Sequence, residues 1–263
     1  MKVSLSNFNY NYARNPIAKN NLSFGHHPDF DNIKSKRPIC YSYYFRRDHI
    51  SGIERGYYDL INVFRKVFTG DDGPKKMLVA GIANSEEPLS YLATIKQLNP
   101  DKPIENVVDL HVIDLQSKPN EKKLYGDSYI LAIIPSYAKD SFVYKPHPEY
   151  ALFEYRVNDE IYDFISKAYN DPNKAKWESR LQEATYPEEY FDIISVNNVL
   201  YYMPESKVLP TFNNLFKALK PGGYIITEDD KYAKNCENCF YLTRVAPGIH
   251  QKYSEPRLFN FQK

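Results

Sequence analysis

The sequence predicts an α/β chain built on a doubly wound, Rossmann-like parallel sheet that closes with a C-terminal β-hairpin. Three apolar runs of strand length lead to that reading. Met77–Gly81 enters a glycine turn and then a helical pattern, and Val107–Leu115 carries an acid, Asp114, near its end. Phe191–Leu200 is followed by Val208, Leu209, Phe212, Leu215, Phe216 and Leu219, one apolar helix face. Strands that alternate with helices pair in parallel, with helices covering both faces of the sheet.

The elements follow in order. Residues 1–37 are rich in Asn and poor in aliphatics, so they read as a flexible arm outside the domain of residues 38–263. His26 and His27 lie in that arm without acid or thiol ligands at a useful spacing, which favours solvated imidazoles. Leu60, Ile61, Phe64, Val67 and Phe68 set a helix over Tyr57–Phe68. After the first strand, Asn84 is the expected N-cap, with Glu87 as its capping-box partner and Pro88 in the first turn. Residues 116–180 break the alternation and read as an insertion. Pro221, Gly222 and Gly223 are expected to stop the later helix. Tyr224–Thr227 begins a further strand, and Tyr241–Val245 with Gly248–Gln251 forms the hairpin.

Composition excludes several functions. Lys and Arg total 34 against 33 for Asp and Glu, so no global positive field gathers nucleic acid or an anionic membrane. The first residues lack the apolar core of a signal peptide, and no apolar run reaches membrane-spanning length. With 3 cysteines, which cannot all pair with one another, this points to a cytoplasmic protein without membrane insertion. Cys236 and Cys239 form a CxxC with no second pair nearby, so no closed zinc site is expected and no metal is assigned.

A glycine turn after one strand, an acid at the end of the next and a polar turn after a later one are the parts of a nucleoside site at the carboxyl edge of a parallel sheet. Asp114 then serves the ribose hydroxyls, or else it is a surface acid that ends a strand. Glu86 and Glu87 would repel a phosphate at this helix start, and a ribose or cationic ligand suits it better. The turn is not GxGxxG, and no GK[ST] follows to make a P-loop.

AGIANSEEPLSYLA, residues 80–93, resembles the AGxSTGEEPYSLA motif of the CheR-type chemotaxis receptor methyltransferases. Their pattern continues in order: YSYYFRRD (Tyr41–Asp48) is similar to LTxFFRD, VIDLQ to the TDID strand, EYRVNDEIYDFI to a YRV segment followed by a short strand, and FDIISVNNVLYYM to FDxIFCRNVLIYF. LKPGGYIITED and YLTRVAPGIHQK are similar to the closing strands. The resemblance implies a class I methyltransferase sheet, S-adenosylmethionine as cofactor, and methyl transfer to a glutamate carboxylate of a protein acceptor such as a chemoreceptor-like protein. It places Arg46 and Tyr202 near the transferred methyl as catalytic residues. It places Ser42, Gly81, Glu86 (or its neighbour Glu87), Asp114, Gln182 and Asn198 at the cofactor. Asn197 stands where the family has arginine, Ser85 where it has glycine and Cys40 where it has asparagine. A rival reading, favoured by the first two changes, is a non-catalytic binding module that kept the fold. Without the resemblance, Tyr201 and Tyr202 also suit a core, and Arg46 with Arg47 suits an ordinary surface.

Overall fold

The helical spacing ahead of the first strand becomes α1 (Gly52–Phe68), which buries Leu60, Phe64 and Phe68. This computed structural model describes residues 52–82, 85–119, 129–130, 142–146, 153–157, 159–197, 199–227 and 229–256. The expected arm, His26, His27, Cys40 and the segment Tyr41–Asp48 lie outside the described residues. After α1 come β1 (Lys75–Ala80), α2 (Glu86–Leu98) and β2 (Val108–Ile113).

Within the stretch 116–180, β3 (Tyr129–Ile130), β4 (Phe142–Pro146) and β5 (Phe153–Val157) form a separate antiparallel sheet in the order β3-β5-β4. The short strand expected after the YRV segment is instead a helix, α3 (Asp159–Asn170). Ile161, Ile165, Ala168 and Tyr169 bury at helical spacing, and Asp159 and Glu160 suit the positive end of its dipole. The chain then enters β6 (Ala175–Lys176), β7 (Phe191–Ser195), α4 (Glu205–Ala218), β8 (Leu219–Ile226), α5 (Lys231–Asn235), β9 (Leu242–Ala246) and β10 (Ile249–Lys252).

The main sheet has seven strands in the order β6-β2-β1-β7-β8-β10-β9. All neighbours from β6 to β8 are parallel, whereas β10 runs antiparallel to both β8 and β9. This is the doubly wound sheet with a terminal hairpin that the sequence predicts. Strand order reverses between β1 and β7, so their carboxyl ends flank the crevice where such sheets bind ligands. Met77 and Val79 pack toward α1, α2 and α3, while Leu78 and Ala80 pack toward α4 and α5. Burial on both faces explains why these strands read as unbroken apolar runs.

The proline and glycines do not stop α4, which already ends at Ala218; they lie inside β8. Gly223 is required there because an added Cβ would come within 2.8 Å of the Asp192 carbonyl oxygen. The helix end is closed by Leu219 N–H on the Leu215 and Phe216 carbonyls, by Glu189 and Tyr190 N–H on the Lys217 and Ala218 carbonyls, and by buried Lys252, whose Nζ donates to the carbonyls of Phe216 (3.1 Å) and Leu219 (2.6 Å). Two residues of the expected α4 face also differ: Leu209 is exposed and Leu219 opens β8.

His250 on β10 is buried, its Nδ1 makes no hydrogen bond among the described residues, and Nε2 lies 3.7 Å from Asp230 Oδ1. Burial pulls its pKa below the ordinary value, Asp230 pulls it back, and Arg244 and Lys234 lower it again. The folded state therefore prefers the neutral ring. Its contribution is complete above the unfolded value of about 6.5 and is lost as pH falls through the folded value. Urea midpoints should fall between about pH 7 and about pH 5, and His250→Gln should flatten that slope. Equal slopes in the two proteins would contradict this assignment.

Candidate functional site at the carboxyl edge of the sheet

The chain leaves β1 at Gly81, which holds φ +69° while its N–H still donates to Ile113 O at 2.9 Å. A Cβ at this position would lie 2.5 Å from Val199 Cγ2, so the glycine turn after β1 and the turn after β7 are in direct contact. Asp114 follows β2 and is 3 % exposed, which removes the surface-acid reading. Its backbone is clamped on both sides: Asp114 N–H donates to Lys176 O (3.0 Å) and Asp114 O accepts from Ser179 N–H (2.9 Å). Its Oδ1 accepts from Gln116 N–H at 2.8 Å. The 3-10 turn Leu181–Glu183, which carries the half-buried Gln182, follows Ser179 by two residues in the chain.

The N-cap of α2 is Ser85. Asn84 lies outside the described residues, and α2 starts after Ser85, whose φ of 70° is left-handed and whose side chain makes no capping bond. Ser85 occupies the backbone conformation natural to the glycine it replaces. Its buried hydroxyl accepts from Tyr169 Oη at 2.9 Å, and Trp177 Nε1 holds the Tyr169 carbonyl at 3.1 Å.

Glu87 turns inward. Its Oε1 accepts from Tyr91 Oη (2.7 Å), Asn197 Nδ2 (3.3 Å) and Ser195 Oγ. Tyr91 Oη also lies 3.1 Å from Ser195 Oγ and 3.2 Å from Asn197 Nδ2. Desolvation, followed by the Glu87 charge, pushes the Tyr91 phenol well above its ordinary pKa, so it remains a donor. This buried cluster fastens the first turns of α2 to the end of β7. Sequence reasoning missed Tyr91, Ser195 and this role for Asn197. The available signals were the i, i+4 spacing of Glu87 and Tyr91 on a helix and the i, i+2 spacing of Ser195 and Asn197 at a strand end.

Tyr202 ends the 3-10 turn Leu200–Tyr202 beyond β7. Tyr201 and Tyr202 are 51 % and 52 % exposed with their rings edge to face at 5.4 Å, so neither is a core aromatic. The structure thus brings Gly81, Asp114 and the turn around Asn197 and Val199 to one edge. Arg46, Ser42 and Asn198 lie outside the described residues. Glu86 takes the first helical position of α2, and nothing is described of its side chain. Cys236 is buried, its thiol donates to Ala233 O at 3.3 Å, and burial pushes its pKa up to about 11. Among the described residues there is no group of three or more His, Cys, Asp or Glu able to hold a metal ion, and no helix long and apolar enough to cross a membrane.

Residues 153–227 match the family model described as a methyltransferase domain, a segment running from β5 to just past the end of β8. No curated protein matches the chain. Among solved structures, the trans-methyltransferase CalH in complex with SAH is similar at 12% identity, with 68% of this chain and 40% of that one covered and a TM-score of 0.34. The N-methyltransferase NodS from Bradyrhizobium japonicum WM9, in complex with S-adenosyl-l-homocysteine, is similar at 15% identity, with 70% and 64% covered and a TM-score of 0.31. The [4+2]-cyclase SpnF is similar at 12% identity, with 69% and 48% covered and a TM-score of 0.29. This chain therefore spans less than two thirds of the length of each, and no residue role is carried across from them. The matched segment and the strand order give the chain the fold of class I methyltransferases, whose cofactor is S-adenosylmethionine.

Proposed function

We propose that the protein is an S-adenosylmethionine-dependent methyltransferase whose acceptor is a carboxylate on a protein. The observation that carries the cofactor part is the meeting of Gly81, the buried Asp114 and the turn after β7 at the point where strand order reverses. The residues fit the group: a strand-end carboxylate suits a pair of ribose hydroxyls, and the left-handed turn at Gly81 brings the chain across the same strand edge. Gln182, Glu86, Ser42 and Asn198 complete the set that the sequence resemblance assigns, Gln182 at the adenine end.

The acceptor rests on that resemblance, which runs in order along the chain from Tyr41 to Lys252. When bound, the cofactor supplies an electrophilic methyl on a sulfonium. A carboxylate with pKa near about 4.3 is already ionised at neutral pH, so the protein needs no general base. Arg46 would hold the acceptor carboxylate with a two-pronged fork, and the Tyr202 hydroxyl would fix its orientation. The exposure of Tyr202 suits an acceptor that arrives as part of another protein.

Calorimetry should detect S-adenosylmethionine binding to the wild type. Asp114→Ala should weaken it by about 1.5–3 kcal/mol, the scale of hydrogen bonding to a charged group. No binding by the wild type, or equal binding by the variant, would remove the cofactor assignment. The acceptor is tested separately with methyl-labelled cofactor and cell extract. Label released as methanol by base marks a methyl ester, and label that resists base would move the acceptor to nitrogen or sulfur.

A further inference from the structure

On the face of the main sheet away from α1, the β2–β6 edge and residues 185–190 enclose a cleft of about 230 Å³. His111 lines it, 6 % exposed and packed edge to face on Tyr190 and Phe191. Its Nε2 lies 3.5 Å from Asp109 Oδ2 and has no closer hydrogen-bond partner among the described residues. Across the cleft, the buried Tyr186 hydroxyl has no partner among the described residues, and burial pushes its phenol pKa upward, so it stays a donor. Lys176 Nζ sits 4.6 Å above the Tyr186 ring and reaches only the Thr185 carbonyl, at 3.4 Å; it has no carboxylate partner among the described residues. The nearby Asp109 carboxylate is already answered by Lys174 (2.7 Å) and Lys76 (3.1 Å).

We propose that this cleft is a binding site for a small free oxyanion of the phosphate type. A cation, a phenol and an imidazole approach it from three elements, and buried polar groups without partners are costly unless something completes them. The Lys176 ammonium and the Tyr186 hydroxyl are the two donors that a phosphate-type oxyanion would take, while His111 Nε2 faces Asp109 at 3.5 Å. The charged side chains that line the cleft are Lys174 and Lys176, and although Asp109 stands behind His111 and Glu188 and Glu189 follow Pro187 in the same segment, no carboxylate is in the lining itself.

The test is calorimetric titration of the full chain with inorganic phosphate and, in a second arm, methyl phosphate, at ionic strength held constant with chloride. Saturable binding is expected in at least one arm, and the tighter arm tells free phosphate from an ester. Lys176→Met and Tyr186→Phe should each weaken binding about tenfold, the order of one charge-assisted hydrogen bond. Tyr186→Phe should at the same time leave the melting temperature unchanged or higher, because it deletes a buried hydroxyl that has no partner among the described residues. No saturable binding by the wild type, or undiminished binding by both variants, would overturn the proposal.

Discussion

Glu87→Ala is expected to destabilise the protein by about 3 kcal/mol, with a matching fall in urea midpoint. Three donors converge on Glu87 Oε1 in a site with no access to water, and the substitution removes their charged acceptor. The loss stays below the sum of three bonds because Tyr91, Ser195 and Asn197 remain within reach of one another. Glu87→Gln keeps an acceptor oxygen at nearly the same place and should cost only about 1 kcal/mol. If the two variants prove equally stable, the cluster does not depend on the carboxylate charge. Cofactor affinity should fall with stability in Glu87→Ala, since the turn after β7 loses its hold on α2.

Gly81→Ala should produce an effect of similar size by a different route. Left-handed backbone costs a residue with a Cβ about 1–2 kcal/mol, and displacing Val199 from a 2.5 Å contact adds overpacking strain of about 1–3 kcal/mol. Val199 follows Asn198, so the displacement should also weaken S-adenosylmethionine binding by about tenfold or more. Val199→Ala in the same chain should recover the overpacking part and leave the backbone part, a coupling that a double-mutant cycle measures. If Val199→Ala gives no recovery, the close contact between the two turns is not what makes Gly81 necessary.

The sequence made Gly81 and Asp114 legible because each is marked by a change of type at the end of an apolar run. The polar cluster left no such mark. Its members are single residues inside apolar elements, and Glu87 meets Ser195 and Asn197 across 108 and 110 positions of chain. Strand ends were legible only where hydrophobicity stops. The β1 ladder in fact begins at Lys75 and Lys76, where Lys76 reaches Asp109 and its N–H donates to Asp192. Glycines misled at β8 because helix termination and close strand packing both select them, and here the second applies. The helix of Asp159–Asn170 was hidden by a resemblance that supplied a strand, although its own apolar spacing was helical.

Lys252 gives the molecule an order of assembly. A ribosome that has just finished α4 has made a helix whose end is already held by Leu219 N–H and by the Glu189 and Tyr190 N–H groups, and Lys252 adds its ammonium to the Phe216 and Leu219 carbonyls only after 36 and 33 more residues. The first strand waits longer, since its Lys76 N–H finds the Asp192 carboxylate only 116 residues later. Pairings at such separations carry a large closure entropy and form slowly. Until β10 has been made, β8 has no partner for its outer edge, and the helix and strand contacts that span these separations are non-local ones.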